Sequence, residues 1–142
     1  MSESPYLRAR KQILFAIKLA AVMIGAALLL TLARKQGWID PAQVMRAQNV
    51  IIGLALAAFC NAMPKMLGRP PRSIREATLS QTVLRVGGWV MTVGLLVWTA
   101  LWAFAPQRLA ATGSMIAVGA SVAIMLGYAA WKCITFHTSR SD

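Results

Sequence analysis

The chain has 142 residues, 58% of them hydrophobic and 13% charged, and its formal net charge is +11. The charged residues cluster between long apolar stretches, a pattern typical of polytopic membrane proteins that excludes a single soluble domain. We therefore assign the cations to membrane boundaries and expect no nucleic-acid binding. Only four residues are acidic, too few to favour a catalytic site built from paired carboxylates. We therefore expect neither an enzyme nor a cofactor.

Four apolar stretches predict transmembrane helices, because a helix needs about 20 apolar residues to cross the bilayer core. The predicted spans are residues 13–32, 41–63, 86–105 and 110–131. The stretches lack the strict alternation of a membrane barrel, and lipid admits only barrels and helices. The sequence thus predicts an all-α polytopic membrane protein. We expect one domain over residues 1–142, with four helices in a small bundle and a short cytoplasmic interfacial helix.

The distribution of Lys and Arg predicts the orientation. Most of the 15 cations lie in the two tails and in the loop of residues 64–85. Because cytoplasmic segments are enriched in Lys and Arg, we place both termini and this loop in the cytoplasm of a bacterial inner membrane. The first loop and the adjoining start of span two oppose this bias with Arg34, Lys35 and Arg46.

The first span follows a basic tail and is expected to stay as a membrane anchor, because no signal-peptide cleavage site follows it. Lys18 lies inside this span. Its long side chain either reaches back to the interface or faces a polar cavity as a functional group. Gly37 is expected to terminate the helix, and Trp38 to lie at the membrane interface.

The second span begins with an expected N-cap, Asp40, followed by proline at the first helical position, and Pro64 is expected to end it. Asn49 is a second candidate intramembrane polar residue. Gly53, Ala57 and Asn61 recur at every fourth position, which predicts a small-residue face for close helix packing.

The loop of residues 64–85 is the most distinctive segment. Ser73 and Glu76 have the spacing of a capping box, which predicts a short interfacial helix from about Ile74 that leads into span three. Gly87 and Gly88 then predict a bend or a close helix contact. The loop's cations are expected to bind anionic lipid headgroups, with docking of a protein partner as the alternative. These cations are Lys65, Arg69, Arg72, Arg75 and Arg85.

The last two spans carry packing signals. Trp98 and Trp102 share one face, as interfacial-belt or packing residues. Pro106 is expected to end span three, with a short turn over residues 107–112 before span four. Small residues recur in spans one and four, which predicts close packing within one chain or in a homo-oligomer. These residues are Ala21, Gly25, Gly119, Ala123 and Gly127, with Ser121 as a bridging hydroxyl. Cys60 and Cys133 are expected to be small core residues.

One stretch resembles a known family. Asn61–Lys65 resembles the Asn-x-apolar-Pro-Lys sequence at the inner end of a span in the SdpI family of small bacterial membrane proteins. In that family a Thr-Leu-Ser and an Arg shortly before glycine follow, and here they are matched by Thr78–Ser80 and Arg85–Gly88. The resemblance covers about a fifth of the chain.

The resemblance implies an immunity protein that protects the cell from a peptide or protein toxin by binding. The implied functional corner consists of Asn61, Pro64, Lys65, Arg72, Arg75, Thr78, Ser80 and Arg85. A toxin arriving from outside would first meet Trp38, Trp98, Trp102 and Arg108. Two alternatives stay open: an accessory subunit of a larger membrane complex, and a small transporter whose path is lined by Lys18, Asn49 and Asn61.

Overall fold

A computed structural model describes residues 5–66 and 74–138 of the chain, and these residues are almost entirely helical. The four helices are α1 (Pro5–Lys35), α2 (Pro41–Met66), α3 (Ile74–Phe104) and α4 (Gln107–Thr138). All four are long and apolar enough to cross a membrane. The predicted all-α fold with four membrane-length helices is therefore confirmed.

The helices pack as an open antiparallel bundle in chain order. Contact is most extensive between α2 and α3, then between α3 and α4, and least between α1 and α2. In the described residues the backbones of non-consecutive helices do not meet. One end, which we call the loop end, holds the connections at residues 36–40 and 105–106. At the other, the terminal end, α1 and α3 begin and α2 and α4 end.

The first connection follows helix-capping rules. Gly37 has φ of +74°, and the amides of Gly37 and Trp38 donate to the carbonyls of Arg34 and Ala33. This is the pattern of a Schellman motif, so the prediction that Gly37 terminates the helix is confirmed. The next helix starts at Pro41 as predicted, and the Gln43 side chain accepts a hydrogen bond from the backbone N–H of Asp40 at 3.2 Å.

The bundle's core is built from small residues at the crossing of α2 and α3. Gly53 and Ala57 are buried, and a Cβ on Gly53 would lie 3.0 Å from the Trp98 ring and also clash with the Thr99 hydroxyl. The predicted small-residue face of α2 is confirmed at these two positions. Asn61, its third member, is exposed.

Glycines of α3 make the second close contact, against α4. A Cβ on Gly94 would meet the Ser121 side chain and come within 3.4 Å of the Ala117 carbonyl. Nearer the terminal end, a Cβ on Gly87 would lie 3.1 Å from the Met125 side chain. Of the two roles predicted for the glycine pair at 87–88, the close helix contact is the one observed.

The small residues of α1 and the repeat on α4 do not pack inside the chain. Gly25, Gly119 and Gly127 have no atom within 4 Å of an added Cβ, and Ala123 is exposed. Of the two alternatives, packing within one chain or in a homo-oligomer, the first is not observed for these stripes in the described residues. The Ser121 hydroxyl donates to its own helix, to the Ala117 carbonyl at 2.8 Å, and so bridges no helices.

Two predicted boundaries were also wrong. The second helix continues through Pro64 to Met66, because a proline removes one backbone bond and membrane helices tolerate that loss. The proposed interfacial helix is the first part of α3, which runs unbroken for 31 residues, or about 46 Å. This length exceeds a hydrocarbon core of about 30 Å. Ser73 and the side chain of Glu76, the expected capping box, lie outside the described residues.

At the loop end, α3 ends before Pro106 as predicted, but α4 begins at once at Gln107. The expected turn over residues 107–112 is therefore the start of α4. The Pro106 carbonyl accepts the Ala110 amide at 2.9 Å, which makes the proline part of the start of the helix.

The packing at Gly94 predicts that Gly94→Ala lowers the free energy of unfolding by about 1–3 kcal/mol, the usual cost of overpacking. Gly119→Ala should be neutral or slightly stabilising, because its Cβ would meet open space and alanine favours helix. Unfolding in mixed detergent micelles, followed by circular dichroism, measures both. Adding Ser121→Gly should restore part of the stability lost with Gly94→Ala, and equal effects of the two alanine variants would contradict the packing.

Candidate functional site

A polar concavity lies at the terminal end, between the last turns of α2 and the first turns of α3. Its volume is about 630 Å³. We call it the polar groove. Its described lining residues are Asn61 on α2 and Thr78, Gln81, Thr82, Arg85, Val86, Gly88 and Trp89 on α3.

Helical spacing brings the α3 residues onto one face. Thr78, Thr82, Arg85 and Trp89 follow one another at intervals of three and four, so their side chains stack along the helix. Two of the α3 hydroxyls lie on this face, and that of Thr82 donates to the Thr78 carbonyl at 2.8 Å. The groove therefore has a row of polar side chains along α3, and the Trp89 indole lies at the end of this row.

Arg85 is the only cationic side chain among the described residues that line the groove. It is exposed, and no ion pair or hydrogen bond of its guanidinium with a described residue is observed. Asp40, the only carboxylate with a described side chain, lies at the opposite end of the bundle. The groove can thus offer a guanidinium, an amide and hydroxyls to an anionic or hydrogen-bonding ligand.

The structure brings together three members of the predicted corner: Asn61, Thr78 and Arg85. Ser80 is exposed and lies outside the groove lining. Arg72 lies outside the described residues, as do the side chains of the remaining three members. These three are Pro64, Lys65 and Arg75.

Sequence reasoning missed Thr82 and Trp89 as members of the groove. Steps of four and three residues along one helix lead from Thr78 to Thr82 and on to Trp89. The sequence did not predict this shared face, because residues 74–85 were predicted to be a separate interfacial helix. A break in the helix before span three would have removed the common register. The continuity of α3 is what places the indole beside the arginine.

The two candidate intramembrane polar residues do not join this groove. Lys18 is exposed on α1, and in the part of the chain that the structure describes α1 contacts α2 alone. The Asn49 side chain donates to the Met45 carbonyl one turn earlier on its own helix, at 2.9 Å. Neither Lys18 nor Asn49 therefore lines the groove that contains Asn61, and the transporter alternative stays a prediction.

A set of hydrogen bonds fastens the loop end. The Arg46 guanidinium donates to the Ala105 carbonyl at 2.9 Å, just past the end of α3, and the Trp98 indole donates to the Asn49 carbonyl at 3.3 Å. The last carbonyls of a helix lack intrahelical partners and carry partial negative charge, so a cation is stabilised there. We call this set the loop-end clasp.

The surface at which a toxin was expected to arrive is only partly exposed. Trp38 is 76% exposed and Arg108 is exposed, but Trp98 is half-buried. Trp102 is 7% exposed, so it is a packing residue and is not available at the surface. Its indole N–H has no hydrogen-bond partner among the described residues.

The cysteines are free thiols. Cys60 is half-buried on α2, but Cys133 is exposed, so the expectation that it is a core residue was wrong. The residues described by the structure contain no group of three His, Cys, Asp or Glu side chains placed to hold a metal ion.

No protein-family model, curated protein or solved structure matches this chain. The resemblance to the SdpI family stays a prediction from the residues of Asn61–Gly88.

The loop-end clasp predicts that Arg46→Gln lowers the free energy of unfolding by about 1–2 kcal/mol, because a charge-assisted hydrogen bond is lost. Arg34→Gln is the matched control, since Arg34 is exposed in the last turn of α1 at the same end. Detergent-titrated unfolding of both variants measures the difference. Equal stabilities of the two variants would contradict a structural role for the guanidinium.

Proposed function

We propose that the chain is a bacterial inner-membrane immunity protein. It protects its own cell from a peptide or protein toxin that acts on the envelope, and it does so by binding, without catalysis. Both termini and the terminal end, with the polar groove, lie on the cytoplasmic side. The loop end faces outward.

The observation that carries this proposal is the meeting of Asn61, Thr78 and Arg85 in the polar groove. These residues come from three separate parts of the stretch that resembles the SdpI family. Thr78 and Arg85 share one face of α3, and the packing of α2 on α3 brings Asn61 beside them. An amide, a hydroxyl and a guanidinium in one concavity suit ligand binding.

The two ends of the molecule have different roles in this proposal. The exposed Trp38 and Arg108 at the loop end supply the first contact with an arriving toxin. At the other end of the α2–α3 pair, the polar groove offers amide, hydroxyl and guanidinium groups for binding. Among the described residues, these two helices form the most extensive contact.

The proposal predicts that expression of the chain raises survival of a toxin-sensitive strain exposed to a toxin encoded beside it. Arg85→Gln should reduce the number of survivors at least about tenfold, the scale of one lost charge-assisted hydrogen bond. Arg10→Gln removes an exposed cation from the same end and should leave survival unchanged. Colony counts at matched membrane expression measure this.

Failure of the wild-type chain to protect against any toxin encoded beside it would refute the immunity function. Protection by the Arg85→Gln variant equal to that of the wild type would refute the role of the groove alone.

A second function, an accessory subunit of a larger membrane complex, is favoured by a different observation. Gly119, Ala123 and Gly127 form an exposed small-residue stripe on α4 that none of the described residues covers. In lipid, such faces allow the backbones of two helices to approach closely. The stripe is thus suited to a helix of another subunit.

The accessory function predicts a stable complex after extraction in mild detergent, and Gly119→Leu should disrupt it by filling the stripe. Ala111→Leu also introduces a leucine at an exposed position of α4, outside the stripe, and should leave the complex intact. Size-exclusion chromatography with mass spectrometry measures both. A chain that runs alone in every case would exclude this function.

A further inference from the structure

One face of α3 is left uncovered along most of its length, and its chemistry changes steadily from end to end. At the terminal end it shows Thr78, Gln81 and Arg85, all exposed. Trp89 follows, 62% exposed, and then Val93, 53% exposed. The face therefore passes from polar to aromatic to aliphatic as it enters the membrane.

Two concavities adjoin this face and share one residue. The polar groove lies on the side of α2. An apolar groove of about 410 Å³ lies on the side of α4, lined by Trp89, Val90, Val93, Gly94 and Val97 of α3 and by Ala117, Ser121 and Ile124 of α4. Trp89 belongs to both linings, so the two concavities adjoin at this residue.

The dimensions of this surface match one leaflet. Val97 lies twelve residues after Arg85, which is about 18 Å along a helix. Half of a hydrocarbon core of about 30 Å is about 15 Å, the depth that one acyl chain fills. Tryptophan is enriched at the headgroup boundary, and Trp89 lies between the polar and the apolar part.

Charge identifies the headgroup. Arg85 is exposed in the polar groove and is not paired with a described carboxylate. The chain has 15 Lys and Arg against four Asp and Glu, so internal partners are scarce. A guanidinium binds phosphate oxygens with two parallel N–H donors, which an ammonium cannot do. An acidic protein segment would also suit Arg85, but it would leave the adjoining apolar groove without a matching ligand.

We propose that this face of α3 binds one anionic phospholipid. Its phosphate lies against Arg85, its headgroup contacts Asn61 and Gln81, and one acyl chain follows the apolar groove past Val93. The proposal does not depend on the immunity function, and it is the same for either orientation of the chain, because both leaflets contain phospholipid.

The test measures two quantities: the lipid that stays bound after purification, and the contact of the tryptophans with lipid in vesicles. The full chain is purified in mild detergent with phosphatidylglycerol or phosphatidylcholine, and bound lipid is counted by native mass spectrometry. In vesicles, quenching of tryptophan fluorescence by brominated forms of the same two lipids reports contact. The variants are Arg85→Gln for the headgroup, Val93→Trp to fill the apolar groove, and Arg10→Gln as an exposed cation at the same end.

The wild type should retain one phosphatidylglycerol in preference to phosphatidylcholine, and brominated phosphatidylglycerol should quench its fluorescence more strongly. Arg85→Gln should weaken this preference about tenfold, the scale of one charge-assisted hydrogen bond. Val93→Trp should weaken retention of both lipids, and Arg10→Gln should behave like the wild type. Circular dichroism in detergent verifies that each variant is folded.

Equal retention of the two lipids by the wild type would overturn the proposal, as would equal preference in the Arg85→Gln and Arg10→Gln variants. Absence of retained lipid together with Arg85-dependent binding of an oligoglutamate peptide would overturn it in favour of an acidic protein segment.

Discussion

The structure depends on how closely α3 can approach its two neighbours. In lipid, helices gain little from hiding apolar side chains, because the surrounding acyl chains are equally apolar, and association rests on backbone proximity and packing. Gly53 of α2 and Gly94 of α3 allow this close approach, because a side chain of the neighbouring helix occupies the space that a Cβ would need at each position. Both contacts involve α3, which packs between α2 and α4. In the described residues, α1 contacts only α2 and α4 contacts only α3. This asymmetry explains why large apolar side chains such as Leu29 and Met115 are exposed: lipid covers them.

The same arrangement separates the two ends of the molecule by chemistry. At the loop end, Arg46 and Trp98 donate to backbone carbonyls and fasten α2 to α3. At the terminal end the two helices leave a concavity, in which Arg85 meets solvent or lipid without a described carboxylate partner. A fastened end and an open polar end on one helix pair are what the proposed binding roles require. Both proposals for the terminal end rest on the continuity of α3, which aligns Arg85 with Trp89.

Several local features could be predicted residue by residue. Gly37 ends α1 and Pro41 begins α2, because capping chemistry acts within a few residues and needs no tertiary partner. The face containing Gly53 and Ala57 was also predictable from spacing. The same spacing on α4 gave the wrong expectation: small-residue spacing shows that a helix can be approached, but it does not identify the helix that approaches. The lining of the polar groove was predictable only in part. The resemblance supplied Asn61, Thr78 and Arg85, three of the eight described lining residues, but Trp89 depended on a helix that does not break.

The sequence by itself determined the number of spans, their approximate limits and the clustering of cations between them. These follow from the length of an apolar run and from the cost of placing charge in hydrocarbon, which are properties of each segment alone. Tertiary structure decided which small-residue faces are covered, which tryptophan is buried, and that a polar and an apolar groove meet at Trp89. Those outcomes depend on the rotation of each helix about its axis. That rotation is set by the fit of side chains on two helices together, and a pattern in one helix does not contain it.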